Sequence, residues 1–479
     1  MITRIKAMKI YDLISKDQIT DIVNLDINSE LTLEERADVK RLVFRTQDLM
    51  TDNQAVLVTE EDQSDGIPFV KVKDRRLALA HAYKSYYMNN TQSFKQVIGV
   101  TGTNGKTTTA KLIAKALELS GARVGFIGTG EISIGSEELQ DRYYSYTTPP
   151  PEILYPALGK MLGRGCEYLV AEVSSHSIKQ KRIAPLKFDI ALFTNLSREH
   201  GDYHKSFSDY YEQKKSFTAS AGHGIYNLDD SYSRLAYLEN DREKSSVGII
   251  RRGSSYATDI EQLGLSGTRF TYAEGGLYKR LLSPLAGAYN VYNTLMAIRA
   301  LRAIKMDTNQ IFSALERIKS IGGRLERIIP GKDVFIDYAH TPLAFENILK
   351  TLNSGKRVGQ KLICLFGCGG DRDKDKRHMM GCIAEKYCDF TVVTSDNCRS
   401  ESFEQIASDI LSKIKARDKV IVIPDRKEAI IYALEKWGNE HIIALLGKGR
   451  EGYMIEGERY LPFSEKEIVK KYFSGGKAD

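Results

Sequence analysis

Proline and cysteine are scarce in this chain, long apolar runs are missing, and neither sign of charge is concentrated anywhere. Eleven prolines and no low-complexity tract in 479 residues exclude a linker-dominated or disordered protein, and a hydrophobic share of 42% is enough to bury sizeable cores. Six cysteines, five of them between Cys364 and Cys398, are too few and too uneven for a secreted disulfide scaffold. Cys364 and Cys368 flank LFG inside an apolar run, which suits a buried strand running into a loop and not a zinc knuckle. The start, MITRIKAMKIYDLISKDQ, has no apolar core of signal-peptide length, and no stretch approaches the ~18 apolar residues of a membrane span. A cytoplasmic protein without membrane insertion is the expectation. The 69 basic residues outnumber the 62 acidic ones only slightly, with no basic groove and no aromatic stacking platform. That balance suits small anionic ligands and argues against nucleic acid as a partner.

What is present is an alternation of strand-like and helical segments. At roughly 100–200 residues per domain the length predicts two to four domains. Residues 1–96 mix short strand-like runs (AVLVT, FVKV) with a helical stretch, RRLALAHAYKSYY. QVIGV then reads as a β-branched strand, followed by a glycine-rich turn and by TTTAKLIAKALELSG, whose apolar residues recur at helical spacing and stop at a glycine. RVGFIGT, YLVAEVSS and IALFTNLS continue the pattern, which predicts an α/β fold with a parallel sheet covered on both faces. After GGRLERIIPGK a second series begins: DVFIDYA, KLICLFG, FTVVTSD, KVIVIPD and HIIALLG each resemble a buried parallel strand. Ligands in such sheets bind at the carboxyl ends of the strands, where most of the chemically suggestive residues stand.

The turn GVTGTNGKTTTAK is a candidate phosphate cradle. Its Gly99-to-Gly105 spacing is one residue longer than G-x-x-x-x-G-K, but Gly102, Thr103, Asn104, Gly105, Lys106, Thr107 and Thr108 keep the needed chemistry. Glycines let backbone N–H groups approach phosphate oxygens, the helix N-terminus adds its dipole, Lys106 meets the terminal phosphates, and a threonine hydroxyl can ligate Mg²⁺. Glu172, with Ser174 and Ser175, stands at one following strand end; Asn195, His200, Asp202 and His204 stand at the next. Glu172 suits a hard cation such as Mg²⁺. Taken alone, His200 reads more readily as a structural histidine, and Lys214 and Lys215 read as solvated surface charges.

GVTGTNGKTTTAKLIAKAL, YTTPPPEI, EVSSHSIKQKRIAPLKFDIALFTNLSREHGDYH, DYYEQKKSF, LAGAYNVYNTLMAI, GGRLERI, DYAHTPLA, GCGGDRDKDKR, SDNCRSE, PDRKEAI and GKGREGY occur in the order and rough spacing of the Mur ligases. From about residue 97 to 470 the chain resembles that family, and most of all its MurE branch. The resemblance implies three domains: 1–96 for the nucleotide-sugar acceptor, a central ATP-binding ligase domain over 97–328, and a Rossmann-like amino-acid domain over 329–479. It implies that ATP phosphorylates a carboxylate of a UDP-linked peptide and that the amine of a free amino acid then displaces the phosphate, in a monomeric enzyme. It assigns ATP to the loop residues with Asn293, Arg324, Asp337 and His340, and metal to Thr107, Glu172, His200 and Lys214, the last as a carbamylated lysine. Thr147, Thr148, Ser174 and Arg182 are implied to hold the acceptor. Arg377, Asp396, Asn397, Arg399, Gly447 and Glu451 are implied to hold the amino acid. Arg399 facing a distal carboxylate and Glu451 a distal amine would select meso-diaminopimelate over lysine.

The chain departs from the family pattern in places. Arg45, Thr46 and Gln47 stand where D-S-R is usual, Glu199 and Gly201 where aspartate and leucine are usual, Cys398 for a proline and Arg450 for a histidine. The missing D-S-R leaves a same-chemistry alternative in view, a MurE-like ligase for another nucleotide-linked acceptor, such as a pseudomurein precursor or a specialised peptide; a non-catalytic nucleotide-binding regulator stands beside it as an alternative of another class. The regulator is expected to lack Lys214, Glu172 or His200, all of which are present. Folylpolyglutamate synthase and the ligase half of cyanophycin synthetase share the loop but fit EVSSH and DNCR less well.

Overall fold

The computed structural model describes residues 8–14, 16–23, 30–33, 42–46, 55–59, 69–88, 92–139, 146–197, 206–457 and 459–475. His200, Asp202 and His204 lie outside them, as do Glu199, Gly201 and Gln47. Three large sheets fall in succession along the chain, and a two-stranded ribbon, Tyr453–Glu456 with Arg459–Pro462, follows them.

The first sheet has six short, mostly antiparallel strands between Met8 and Val72. The helix Arg75–Tyr87 follows, capped by Asp74, whose carboxylate accepts from Leu77 N. Its Ala78, Leu79, Ala82 and Tyr83 share one hydrophobic cluster with Leu154, Tyr155 and Leu158 of the next unit, so the two are packed together and not strung on a linker.

The second sheet is the largest, with eleven strands. The elements that build the site are β1 (Gln96–Thr101), α1 (Lys106–Leu119), β2 (Val124–Gly128), β3 (Glu131–Ile134), β4 (Tyr168–Glu172), β5 (Ile190–Phe193), α2 (Phe207–Ser220) and α3 (Tyr289–Ala303). β1 pairs in parallel with β4 on one side and β5 on the other. The end of β1 is therefore flanked by Glu172 and by the segment that carries Asn195. β2, β4 and β5 are almost wholly buried, as mostly apolar runs in a parallel sheet must be. An antiparallel hairpin, β3 with Glu137–Glu138, closes one edge, and an antiparallel meander over 255–283 closes the other. The hydrophobic face of α1, with Leu112, Ile113, Ala116 and Leu117, packs with α3 residues Leu295, Met296 and Ile298 on the sheet.

The third sheet has six strands: β6 (Val334–Asp337), β7 (Leu362–Phe366), β8 (Phe390–Val393) and β9 (Ile442–Leu446), with Val420–Val422 and the edge strand Glu326–Arg327. The five strands expected from sequence are the five parallel ones. β9, last in the chain of these, sits in the middle between β6 and β7. That insertion brings the loop after β9 beside the loops after β6 and β8.

Candidate active site

The phosphate loop leaves β1 and turns into α1 through Gly105, which takes φ +84. A Cβ there would lie 2.5 Å from Asn293 Oδ1, and one on Gly102 (φ +146) would lie 1.9 Å from Thr194 Oγ1, so glycine is required at both positions on two counts. The loop is braced from β5's end: Asn195 Oδ1 accepts from Asn104 N at 2.9 Å, Asn195 Nδ2 and Thr194 Oγ1 donate to Asn104 O, and Thr103 N donates to Asn195 O. Lys106 Nζ donates to the carbonyls of Gly102 (3.0 Å) and Thr103 (2.8 Å). Thr108 is buried and begins the helix interior. Asn293, on α3, accepts from Thr109 Oγ1 and donates to Asn290, which holds it under the loop.

Lys214 is brought to the same place. Its side chain on α2 is 1% exposed, and its Nζ donates to Gly102 O at 2.9 Å while lying 4.6 Å from the centre of the Tyr210 ring. Helical spacing alone gave Lys214 to the surface; the sheet turns that face of α2 inward. Lys215 keeps its surface place, paired with Glu239.

Glu172 is fully buried at the end of β4. It accepts from Thr129 N (3.0 Å) and Thr129 Oγ1 (3.3 Å). The residues expected to hold the acceptor gather around it. Thr147 Oγ1 lies 3.0 Å from Thr129 Oγ1, Thr148 Oγ1 donates to Glu172 O, Ser174 N donates to Thr148 Oγ1, and Arg182 Nη1 donates to Thr148 O at 2.6 Å.

No ligand group is needed to hold this arrangement, yet its donor set fits a triphosphate with a hard cation. Thr107 and Glu172 offer oxygen ligands, and α1 starts without a side-chain cap, so the positive end of its dipole suits anionic oxygens. Asn104 Nδ2 is buried without a partner among the described residues, a vacancy that costs about 1–3 kcal/mol unless an acceptor arrives. Among the described residues no three His, Cys, Asp or Glu side chains cluster to form a metal site of protein ligands alone.

The third unit reaches into this loop. Arg324 Nη2 donates to Thr107 Oγ1 at 2.6 Å, and its guanidinium lies 4.8 Å from the Tyr338 ring centre. Asp337, at the end of β6, accepts from Leu325 N and Ala339 N, which fixes the turn carrying Arg324; burial pushes its carboxyl up against the opposing pull of Arg324. His340 Nδ1 donates to Tyr338 O at 2.8 Å. We expect Arg324→Ala to raise the KM for ATP roughly tenfold or more while leaving the acceptor's KM within about twofold, because one charge-assisted hydrogen bond to the loop is lost. Steady-state phosphate release against each substrate checks this, and unchanged ATP kinetics would remove Arg324 from the nucleotide site.

The loops after β8 and β9 form a second polar centre. Lys448, fully buried, donates to Asn397 Oδ1 and Glu451 Oε2, both at 3.1 Å, and lies 3.6 Å from Asp396 Oδ1. Asn397 Nδ2 donates to Glu451 Oε2 at 3.0 Å. Burial opposes ionisation of Asp396, but Lys448 and Arg426 outweigh it and hold the carboxyl at about 2. A Cβ on Gly447 would lie 2.8 Å from Asp396 Oδ2, so only glycine lets the two loops meet. Arg426 clamps both from below: its Nη1 donates to Ser395 O and its Nη2 to Leu446 O, while Glu465 takes its remaining charge. Arg399 sits at φ +54, is half-buried, and uses Nη1 on the carbonyls of Gly370 (2.9 Å) and Asn397 (3.2 Å).

Arg377 corrects an expectation. It is fully buried, with Nη1 on Glu401 Oε2 and Asp409 Oδ2 and Nη2 on Glu401 Oε1, all at 2.8–2.9 Å. Its charge is consumed inside the fold, and it holds the GCGGDRDKDKR segment in place instead of facing an amino acid. The exposed arginine of that segment is Arg372: a Cβ on Gly369 would lie 3.7 Å from Arg372 Cγ and 3.0 Å from Arg399 Nη1, so the two side chains share one rim. Arg372, Lys448, Arg426 and Tyr338 all lie inside the family-like motifs without standing out there, because nothing local marks which residue of a motif will be buried or turned to the site.

Comparison with known proteins gives the family. The Mur ligase middle domain matches residues 100–301, and the Mur ligase glutamate ligase domain matches residues 323–449. A UDP-N-acetylmuramoyl-L-alanyl-D-glutamate–2,6-diaminopimelate ligase from Caldanaerobacter subterraneus subsp. tengcongensis is 36% identical, over 97% of this chain and 98% of its own length. The chain belongs to the Mur ligase family. It is accordingly an ATP-dependent, ADP-forming acid–amino-acid ligase. A further 2,6-diaminopimelate ligase, from Clostridium acetobutylicum, is 37% identical over 84% of the chain and 83% of its own length. The solved structure of another ligase of that name superposes with a TM-score of 0.60 at 28% identity, covering 87% of this chain and 86% of that one. The Caldanaerobacter match covers a larger share of the chain than the Mur ligase motifs span in the sequence.

Proposed function

We propose that this Mur ligase adds meso-diaminopimelate to a UDP-N-acetylmuramoyl dipeptide, with ATP converted to ADP and phosphate. The observation that carries the amino-acid assignment is the pairing of two functions in one rim: Arg399 and Arg372 beside Gly369, and Glu451 oriented by Asn397 and Lys448. A diamino-dicarboxylate has both a second carboxylate and a second amine to satisfy them; lysine lacks the carboxylate.

The reaction has two steps. The acceptor's carboxylate oxygen attacks the γ-phosphorus of ATP and ADP leaves, giving an acyl phosphate; the amine of diaminopimelate then attacks the acyl carbon, phosphate leaves, and the amine loses a proton. Two anions must meet in the first step, so positive charge has to be fixed beforehand. Lys106 and the loop amides hold the phosphate chain, Arg324 orients Thr107, and Thr147, Thr148, Ser174 and Arg182 present the acceptor's peptide end next to Glu172. Mg²⁺, held through Thr107, Glu172, His200 and a carbamylated Lys214, would screen the phosphate charges. The reading divides the work among 1–96 for the nucleotide-sugar, 97–328 for ATP and 329–479 for the amino acid.

The test is phosphate release measured with a panel of nucleotide-linked acceptors crossed with diaminopimelate, lysine and other amino acids. Release with the UDP-muramoyl dipeptide and diaminopimelate, at least roughly a hundredfold above lysine, is the expected result. Turnover only with a non-muramoyl acceptor would overturn the assignment.

A further inference from the structure

The loop Gly447–Glu451 carries one residue whose side chain leaves the amino-acid centre altogether. Lys448 and Glu451 turn inward, while Arg450 between them reaches across to the second unit and pairs with Glu131 and Glu138 of the edge hairpin. Its stem runs over Gly322 and Gly323, in the connection between the units; a Cβ on Gly323 would lie 2.7 Å from Arg450 Cγ. Glu131 is 5% exposed and is also held by Ser133 Oγ and by Lys111, which lies 3.6 Å from the centre of the Phe126 ring. Lys111 belongs to α1, the helix that begins with Lys106. Burial would raise the Glu131 carboxyl, but Lys111 and Arg450 together hold it below the usual carboxylate range. The family pattern has histidine at this position, so neither the arginine nor its double carboxylate pairing follows from family membership.

We propose that Arg450 is a positioning residue that couples docking of the third unit on the second to the shape of the amino-acid loop. A connected series of side chains runs from the phosphate-loop helix through Lys111 and Glu131 to Arg450, whose neighbour Glu451 stands in the amino-acid centre. With the units docked, the two carboxylates fix the backbone of Arg450 and with it the aim of Glu451. With the units apart, Arg450 is released, and the loop retains only its inward bonds. The amino-acid site is therefore complete only in the docked arrangement, and the second substrate is gripped where ATP's loop is already engaged. This inference rests on the reading of the Glu451 loop as the amino-acid site.

The test uses Arg450→Ala, Arg450→Lys, Glu131→Gln and the Arg450→Ala/Glu131→Gln double variant in the full chain. Loss of a partly exposed charge pair is expected to raise the KM for diaminopimelate roughly tenfold in each alanine or glutamine variant, with the KM for ATP and acceptor within about twofold. The double variant is expected to fall clearly short of the product of the single effects, because both delete the Arg450–Glu131 pair. Arg450→Lys is expected to recover part of the loss. Hydrogen exchange of residues 131–138, measured without any substrate, should speed up in Arg450→Ala. Additive single effects, or unchanged exchange in that segment, would overturn the coupling. The exchange measurement stands whether or not diaminopimelate is the substrate, so failure of the substrate assignment is told apart from failure of the coupling.

Discussion

Replacing Lys214 by alanine is expected to abolish measurable turnover, a loss of about 10³-fold or more, with partial recovery on adding formate or acetate. Lys214 is buried beside the Gly102 carbonyl, where an ordinary ammonium group would have little to gain that Lys106 does not already supply. In the proposed role the neutral amine adds to the carbon of CO₂ and loses a proton, leaving an N-linked carboxylate that acts as an extra acidic ligand at the phosphates. Alanine removes the carbamate and opens a space of about that size, which a small carboxylate can enter. Arginine at the same position keeps a positive charge but forms no carbamate, so it should be as inactive as alanine and should not be rescued. Folding is checked separately by thermal unfolding, since deleting a buried side chain can cost about 2–5 kcal/mol. Full activity of the alanine variant, or normal activity of the arginine variant, would sink the carbamate role.

Arg399→Ala is expected to raise the KM for diaminopimelate roughly a hundredfold while leaving ATP and acceptor kinetics nearly unchanged, because a fork-shaped pair to a carboxylate is lost and is worth about 3 kcal/mol when desolvated. Discrimination against lysine should collapse in the same variant. Arg399→Lys should recover little, since an ammonium group cannot reproduce a planar fork whose Nη1 is held by the carbonyls of Gly370 and Asn397. Retained preference for diaminopimelate in Arg399→Ala would move selection to another residue, with Arg372 the next candidate on the same rim.

Both predictions concern residues whose roles the sequence shows unevenly. The phosphate loop is legible because it is local: a β-branched strand, glycines at positions that demand positive φ, and a helix of clear period follow one another within about 20 residues. The five parallel strands of the third sheet are legible for the same reason, as short buried apolar runs ending in polar residues. Lys214 and Arg377 are different. Spacing places Lys214 on a solvated face, and the charge of Arg377 looks available, until Gly102 and Tyr210 cover the first and Glu401 and Asp409 close on the second. Apart from Tyr210, one turn away on the same helix, none of those partners is near in sequence to the residue it buries.

By itself the sequence determined the α/β alternation, the glycine cradle with Lys106 and Thr107, and the order of the motifs from GVTGTNGKT to GKGRE, since these depend on backbone conformation and side-chain period over short stretches. Tertiary structure alone decided the strand order. It set β4 and β5 on either side of β1, so that Glu172 and Asn195 flank the loop, and it inserted β9 between β6 and β7, so that Lys448 and Glu451 meet Asn397. It also decided which charges are spent inside one unit, like Arg377, and which, like Arg450, reach across to another. The physical reason is that parallel pairing is chosen by burial of both sheet faces through helical crossovers, and ion pairs between distant segments leave no periodic trace along the chain.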